Sequence, residues 1–418
     1  MTLIKIIQGM REIGGNCIRI EDKDRTLLFD QGIRFSRLSQ YYSHRIEPKG
    51  IPELRRLGII PPKETYRDVS AIYITHFHLD HLGLLANIPR RMIVKIPSPE
   101  LFKVIERWYR MSPTWMAYIP PRYTTEIQKA IPLKADENNV MAIPVEHSIY
   151  PAYAYIYFGS DSTILYTGDL RITSILNPEL HKELYPTTLL NFLEEHQDIR
   201  IDNLIIEGTN LGAPITPLNS KHLRETLTEL MKQRGMISIA IHNQEIESAL
   251  LVVEKAAEIG KEIVVASNRI AELLDFWLNK LSSKAIGDVR IYVLSSIIDT
   301  PLRNLDLIEE PSIEEGPKDY VILADLWHMM DFLRTIDPEK IPSESTAVFL
   351  TSEPQEEEAI YSEALILRWL MRLKLQPYRL RVSGHYYPYQ LRTIINTVKP
   401  KKITPIHTLH PEQFYANR

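Results

Sequence analysis

Within six positions, in the stretch AIYITHFHLDHLGLL, the chain places His76, His78, Asp80 and His81, although it has only 13 histidines in 418 residues. The run before them, Val69 to Thr75, is apolar and β-branched and predicts a buried strand. The run from Leu82 to Ala86 predicts the start of a short helix. A strand that ends in ionisable groups and turns into a helix fits an α/β architecture, in which ligands gather beyond the carboxyl ends of strands. Burying such groups is costly unless something pairs them. The pattern His-x-His-x-Asp-His suits metal: two imidazoles can hold one Zn²⁺ while the Asp and the third His face a neighbouring ion.

Other predicted strands end in the same kind of residue. RTLLFD delivers Asp30, MAIPVEHS delivers His147 and STILYTGD delivers Asp169. Singly, each reads as a cap or turn residue. In this order they point to one site assembled from many loops. From about residue 208 helical runs alternate with buried strands (RETLTELMKQRG, MISIAIHN, EIESALLVVEKAAEIG, KEIVVASN, IAELLDFWLNKL, RIYVLS), which predicts a parallel α/β lobe. YVILAD, TAVFLTSE and a helix over 356–374 continue it. Residues 377–418 return to polar strand ends in RLRVSGH and KKITPIHT.

At 48.5 kDa the chain exceeds one ordinary core, so two lobes are expected. Its net charge of −4 gives no general pull toward a polyanion, so any such attraction must be local. The single cysteine, Cys17, excludes an internal disulfide and a cysteine-based zinc site, and fits a reducing compartment. No run is apolar and long enough for a signal peptide or a membrane span, so a cytoplasmic protein with no membrane partner is expected.

The succession Asp30, His76-x-His78-x-Asp80-His81, His147 and Gly168-Asp169 resembles the metallo-β-lactamase fold. Glu207 in LIIEGTN, Ser383-Gly384-His385 in RVSGHYY and His407 in TPIHT extend the resemblance, with the α/β lobe between the first and second of these. Together they resemble the β-CASP nucleases of the ribonuclease J type. The resemblance implies an αββα sandwich with an inserted parallel α/β lobe: 1–207 and 376–418 in the sandwich, 208–375 in the β-CASP lobe. It implies a zinc-dependent ribonuclease acting on single-stranded RNA by a two-metal mechanism and leaving 5′-phosphate ends. Manganese is the alternative metal, and a homodimer is left open. The rival readings are a β-CASP DNA nuclease, a small-molecule hydrolase of the same fold, and a metal-free scaffold subunit.

Carried over residue by residue, the resemblance implies that His76, His78 and His147 hold one zinc. Asp80, His81 and His407 hold the other, with Asp169 bridging. Asp30 and Glu207 support the ligands from behind. Asp80 and His385 are the catalytic candidates, and Ser383, Gly384 and His385 the candidates for binding substrate phosphate. A final histidine such as His407 is, in this family, the mark of enzymes acting on RNA.

Three features depart from the family or stand outside its motifs. Tyr386, Tyr387 and Tyr389 stand where smaller residues are expected, and read equally as a base-stacking surface or as packing. Residues 106–125 interleave aromatics with arginine, as a packing helix or a contact surface. Arg34, Arg37, Arg45, Arg55 and Arg56 read as a solvated face.

Overall fold

The computed structural model of the chain describes residues 1–416 except 24, 44–45, 85–87, 90–91, 111–125, 214–215, 299–301, 317–319 and 352–362. The chain forms two units. The first comprises Met1–Ile172, Thr187–Ile215 and His385–Arg418; the second comprises Thr173–Pro186 and Thr216–Gly384.

Two sheets make the first unit. One contains β1 (Leu3–Gln8), β2 (Cys17–Asp22), β3 (Arg25–Phe29), β4 (Ala71–Tyr73), β5 (Ile93–Ile96) and β6 (Glu126–Lys129), in that order. It is antiparallel up to β3 and parallel from there on. The other contains β7 (Val140–Val145), β8 (Ala152–Phe158), β9 (Thr163–Tyr166), β10 (Asn203–Ile206) and a late strand, Lys402–Pro405, in the order late strand-β10-β9-β8-β7. Here the late strand, β10 and β9 run parallel, and β7 shares their direction because β8 is antiparallel to both β7 and β9.

Strand alternation sends one set of side chains of each sheet into a shared layer. Ile18, Ile20, Phe29 and Tyr73 there meet Tyr155, Tyr166, Ile205 and Ile406. The Phe29, Tyr73 and Tyr155 rings lie 5.3–5.7 Å apart. The outer face of the second sheet is covered by helices Leu189–Glu195 and Leu391–Val398 through Phe192, Leu193, Leu391 and Ile394. Helix Pro99–Arg110 lies against the first sheet. This is the expected αββα sandwich.

The second unit is a seven-stranded, wholly parallel sheet. Its strands are β11 (Ile237–Ile241), β12 (Glu262–Val265), β13 (Ile291–Leu294), β14 (Asp306–Ile308), β15 (Tyr320–Asp325), β16 (Thr346–Thr351) and β17 (Gln376–Arg381). They lie in the order β14-β13-β12-β15-β11-β16-β17; the late strand of the first unit is therefore β18. Near-continuous apolar runs such as ISIAI mark strands covered on both faces. Helix Ile246–Ile259 is buried through most of its length and ends at Gly260, whose φ of 70° suits the left-handed closing position.

Several local expectations differ from the structure. The crossings between units fall at 172/173, 186/187, 215/216 and 384/385, where 207/208 and 375/376 are expected; residues 376–381 join the second unit because β17 pairs along its full length with β16. The strand expected over Val69–Thr75 is only Ala71–Tyr73, and the helix expected from Leu82 is Leu79–Leu82. β1, β6 and β14 carry no clear alternation in sequence and are not marked there as strands. The last long helix spans Glu363–Arg372; residues 356–362 of its expected range lie outside the described residues, as do 111–125 of the aromatic-basic stretch. Arg45 does too. Arg34 is no solvated residue: it binds Glu12 at 2.7 Å and the Gly58 carbonyl at 2.7 Å. Among the described residues no helix is long and apolar enough to cross a membrane.

Candidate metal centre

Six strands of the sandwich bring their chemistry to one edge. Asp30 follows β3, His76 to His81 follow β4, His147 follows β7, Asp169 follows β9, Glu207 follows β10 and His407 follows β18. Two of these positions hold a backbone that non-glycine residues rarely adopt: φ is 58° at Asp30 and 49° at His407. Such strain costs about 1–3 kcal/mol each and persists where the surroundings impose it, often at functional sites. Hydrogen bonds impose it here, from Asp30 N–H to the Tyr73 carbonyl at 2.8 Å and from His407 N–H to the Gly9 carbonyl at 2.7 Å. Gly168, with φ of 56°, has no room for a side chain, since a Cβ would stand 2.7 Å from Thr75 Cγ2.

The donors converge in two groups. In the first, His78 Nδ1 is 3.0 Å from His76 Nε2 and 3.2 Å from His147 Nε2, and Asp169 Oδ2 is 3.8 Å from His76 Nε2. In the second, Asp80 Oδ2 is 3.3 Å from His407 Nε2 and 3.7 Å from His81 Nε2. Asp169 touches both, with Oδ2 3.1 Å from His81 Nε2 and Oδ1 2.7 Å from His407 Nδ1. Within each group the donor atoms lie within 4.8 Å of one another, a spacing that one cation can close. Asp169, His385 and His407 form a third combination with the same spread. Nε2 of His81 and Nε2 of His407 are buried and make no hydrogen bond among the described residues. Buried polar atoms are seldom left so, and two ring nitrogens facing a cluster of carboxylates fit a cation.

The side chains' own charges divide the cluster. Burial, reinforced by neighbouring histidines, holds His76 well below its ordinary value. Burial brings His78 down to about 4, so both rings are neutral and ready to coordinate. Burial opposes charge at His81 too, but Asp169, Asp80 and Asp30 outweigh it and raise that ring well above its ordinary value. The same contest leaves His407 at about 10, with Asp169 the main opponent of burial. Burial would raise Asp80 and Asp169, but His81 and His407 hold both carboxyls below the usual range. The first group is thus preset for a cation, and the second holds protons where a cation would displace them.

Behind the donors, Asp30 is fully buried and gathers a complete set of partners. It accepts from Thr75 N–H at 2.8 Å, from Thr75 Oγ1 at 3.0 Å and from the Tyr166 hydroxyl, and it sits 2.7 Å from His81 Nδ1. That contact turns His81 Nε2 toward Asp80 and Asp169, as carboxylates orient ligating histidines elsewhere. Glu207 serves His385 in the same way, with Oε1 3.0 Å from Nδ1, while its other oxygen accepts from Thr209 N–H at 2.8 Å. The His385 ring lies 5.2 Å from His147 and 5.8 Å from His407, between centroids. Ser383 is buried and, with Gly384, closes the second unit after β17.

Sequence reasoning missed the residues that hold these in place. Thr75 contacts Asp30 and lies 3.0 Å from His76 Nδ1, Tyr166 binds Asp30, and Asn16 N–H binds the Asp80 carbonyl at 2.9 Å. The only signal available was the placement of Thr75 and Tyr166 at strand ends beside the motifs.

The pattern of the Metallo-beta-lactamase superfamily matches residues 10–179. Ribonuclease J of Mycobacterium tuberculosis is 21% identical over 422 residues, covering 97% of this chain and 68% of that protein. Ribonuclease J2 of Bacillus subtilis is 23% identical over 411 residues, covering 96% of this chain and 68% of that protein. A solved protein of unknown function from Enterococcus faecalis V583 shares the fold, with a TM-score of 0.71 at 19% identity over 99% of this chain and 95% of that one. A metallo-β-lactamase domain, the inserted parallel lobe, the donor order and these similarities together support a ribonuclease J-like member of the β-CASP family.

Proposed function

We propose that the chain is a zinc-dependent ribonuclease that hydrolyses RNA phosphodiester bonds with two metal ions and leaves 5′-phosphate ends. The observation that carries this reading is the meeting of two donor groups at one edge of the sandwich, joined by Asp169. His76, His78, His147 and Asp169 suit one ion; Asp80, His81, His407 and Asp169 suit the other. The similarity to ribonuclease J supports RNA as the substrate class. Nitrogen and oxygen donors accept manganese as well as zinc.

Two divalent cations held there would supply positive charge against the phosphate oxygens and lower the pKa of water at the site. The protein's own groups do the rest. Asp169 fixes the spacing of the two donor groups. Asp80, beside His81 and His407, is the carboxylate assigned to take the proton of the incoming water once those rings have given up their own. His385, aimed by Glu207, delivers a proton to the leaving 3′ oxygen. Water's oxygen ends on phosphorus, so the products are a 5′-phosphate and a 3′-hydroxyl.

The test uses zinc- or manganese-loaded protein and end-labelled single-stranded RNAs bearing 5′-triphosphate, monophosphate or hydroxyl. Cleavage in H₂¹⁸O should place one ¹⁸O in the new 5′-phosphate. No cleavage of any RNA with either metal would overturn the reading. RNA should be cut at least about tenfold faster than DNA of the same sequence; since His407 itself does not read the 2′-hydroxyl, equal rates would overturn the RNA assignment alone.

A second expectation concerns pH. His81 and His407, raised above their ordinary value, carry protons at pH 7 that a cation must expel. Metal affinity should therefore rise from pH 6 to pH 8.5, with about one to two protons released per chain on loading. Calorimetry in buffers of different ionisation enthalpy counts those protons. Release of none would count against the second donor group.

A further inference from the structure

Two and four residues beyond His385, in the same unit as the metal centre, an aromatic pair stands unused by the proposed chemistry. The Tyr387 and Tyr389 rings are stacked, with centroids 5.6 Å apart and planes 9° from parallel. Tyr387 is buried, whereas Tyr389 is 73% exposed. A single exposed aromatic needs no explanation, but one mounted on a buried partner is a rigid, open ring face.

The segment that carries the pair is held by hydrogen bonds at His385, Tyr386, Tyr387 and Gln390. Tyr386 N–H binds the Leu170 carbonyl at 2.8 Å, and its hydroxyl binds the Glu207 carbonyl at 2.6 Å. Asn210 Nδ2 reaches the carbonyls of His385 at 3.4 Å and Tyr386 at 3.1 Å. Pro388–Gln390 form one short 3₁₀ turn, closed by Gln390 N–H on the Tyr387 carbonyl at 2.8 Å and by Tyr387 N–H on Gln390 Oε1 at 2.9 Å. Asn210, Tyr386 and Glu207 thus hold both His385 and the aromatic pair. A cation lies near: burial raises the Tyr387 hydroxyl, and the buried Arg171 guanidinium works against that rise.

Taking the ribonuclease reading as its basis, we infer that the outer face of Tyr389 binds an unpaired nucleobase of the substrate strand by stacking, setting that strand's position relative to His385. The chemistry matches. Every base has a π face, stacking on an aromatic ring tolerates any sequence, and a base locked in a duplex cannot present that face. Because the ring is already held, little ordering entropy is lost when a base lands on it. The platform grips substrate before and during the reaction alike, so it acts on KM more than on kcat.

The experiment compares Tyr389→Ala, Tyr389→Leu and Tyr389→Phe in the full, metal-loaded chain. The substrates are a single-stranded oligoribonucleotide and a set in which one abasic nucleotide is moved along it. Tyr389→Ala and Tyr389→Leu should raise KM by roughly 5- to 100-fold, while Tyr389→Phe stays near the parent. In the parent, one abasic position should raise KM by a similar factor, and in Tyr389→Ala that position should lose its effect. If the parent cleaves RNA but Tyr389→Ala matches it at every position, the stacking proposal falls and the ribonuclease reading stands. If Tyr389→Ala changes the oligomeric state by sedimentation and leaves KM alone, the ring face is a contact between chains and the proposal is overturned. If the parent cleaves no RNA, both fall together.

Discussion

Asp169→Ala should bring RNA cleavage below detection and reduce bound metal from two ions per chain to one or none. Asp169 is the residue that both donor groups share, with oxygens facing His76, His81 and His407. Losing a single hydrogen-bond donor to a developing charge costs roughly 10²–10³ in rate. Losing a cation beside the phosphate should exceed that. The variant also leaves His81 and His407 without their main counter-charge, so their protons become easier to lose and the cluster should gain little net charge. Asp169→Asn keeps the shape and serves as the check on folding. Metal analysis together with the circular dichroism of both variants decides the matter. Two ions retained with full activity would show that Asp169 is not the link between the groups.

His385→Ala should lower kcat by about 10²–10⁴, the range expected of a positioned proton donor, and leave the metal content at two. The reasoning is geometric. His385 contacts Glu207 through Nδ1 and faces the rings of His147 and His407, yet neither main donor group needs it. Glu207→Gln should show a smaller loss in the same direction, since the ring keeps a partner but not a charged one. The competing arrangement is explicit in the structure, because Asp169, His385 and His407 also lie close enough to share an ion. If His385→Ala strips a metal, that arrangement is the working one and His385 is a ligand. Rate and metal content measured on the same preparation separate the two.

What could be read from the sequence was the chemistry with a pattern in it. His76, His78, Asp80 and His81 stand out because histidine is scarce, and Asp30, His147, Asp169 and His407 because each closes an apolar run. The residues that make the cluster work lack such marks. Thr75 and Tyr166 are ordinary strand residues by composition, and only the register of two different sheets brings them to Asp30. The pairing of β17 with β16 was illegible for a similar reason. QPYRLR has the polar, uneven texture of an edge strand, and its neighbour in space lies beyond a long helix in sequence. Nor does sequence show which tyrosine of 386, 387 and 389 faces inward. Tyr386 and Tyr387 are buried and Tyr389 is not, a division made by a turn of three residues.

The order in which the donors come off the ribosome has a consequence of its own. The first group has all its residues once residue 169 has been made, but the second waits for His407, which follows the last strand of its sheet. At about 5–20 residues per second, the stretch between them takes roughly ten seconds to most of a minute to synthesise. Through that interval the nascent chain lacks β18 and His407, so the second group is short of one donor. On the reading proposed above, a chain that has not yet reached residue 407 lacks a donor of the second ion and cannot cut. The enzyme is thereby armed last, after the transcript that encodes it has been read through residue 407.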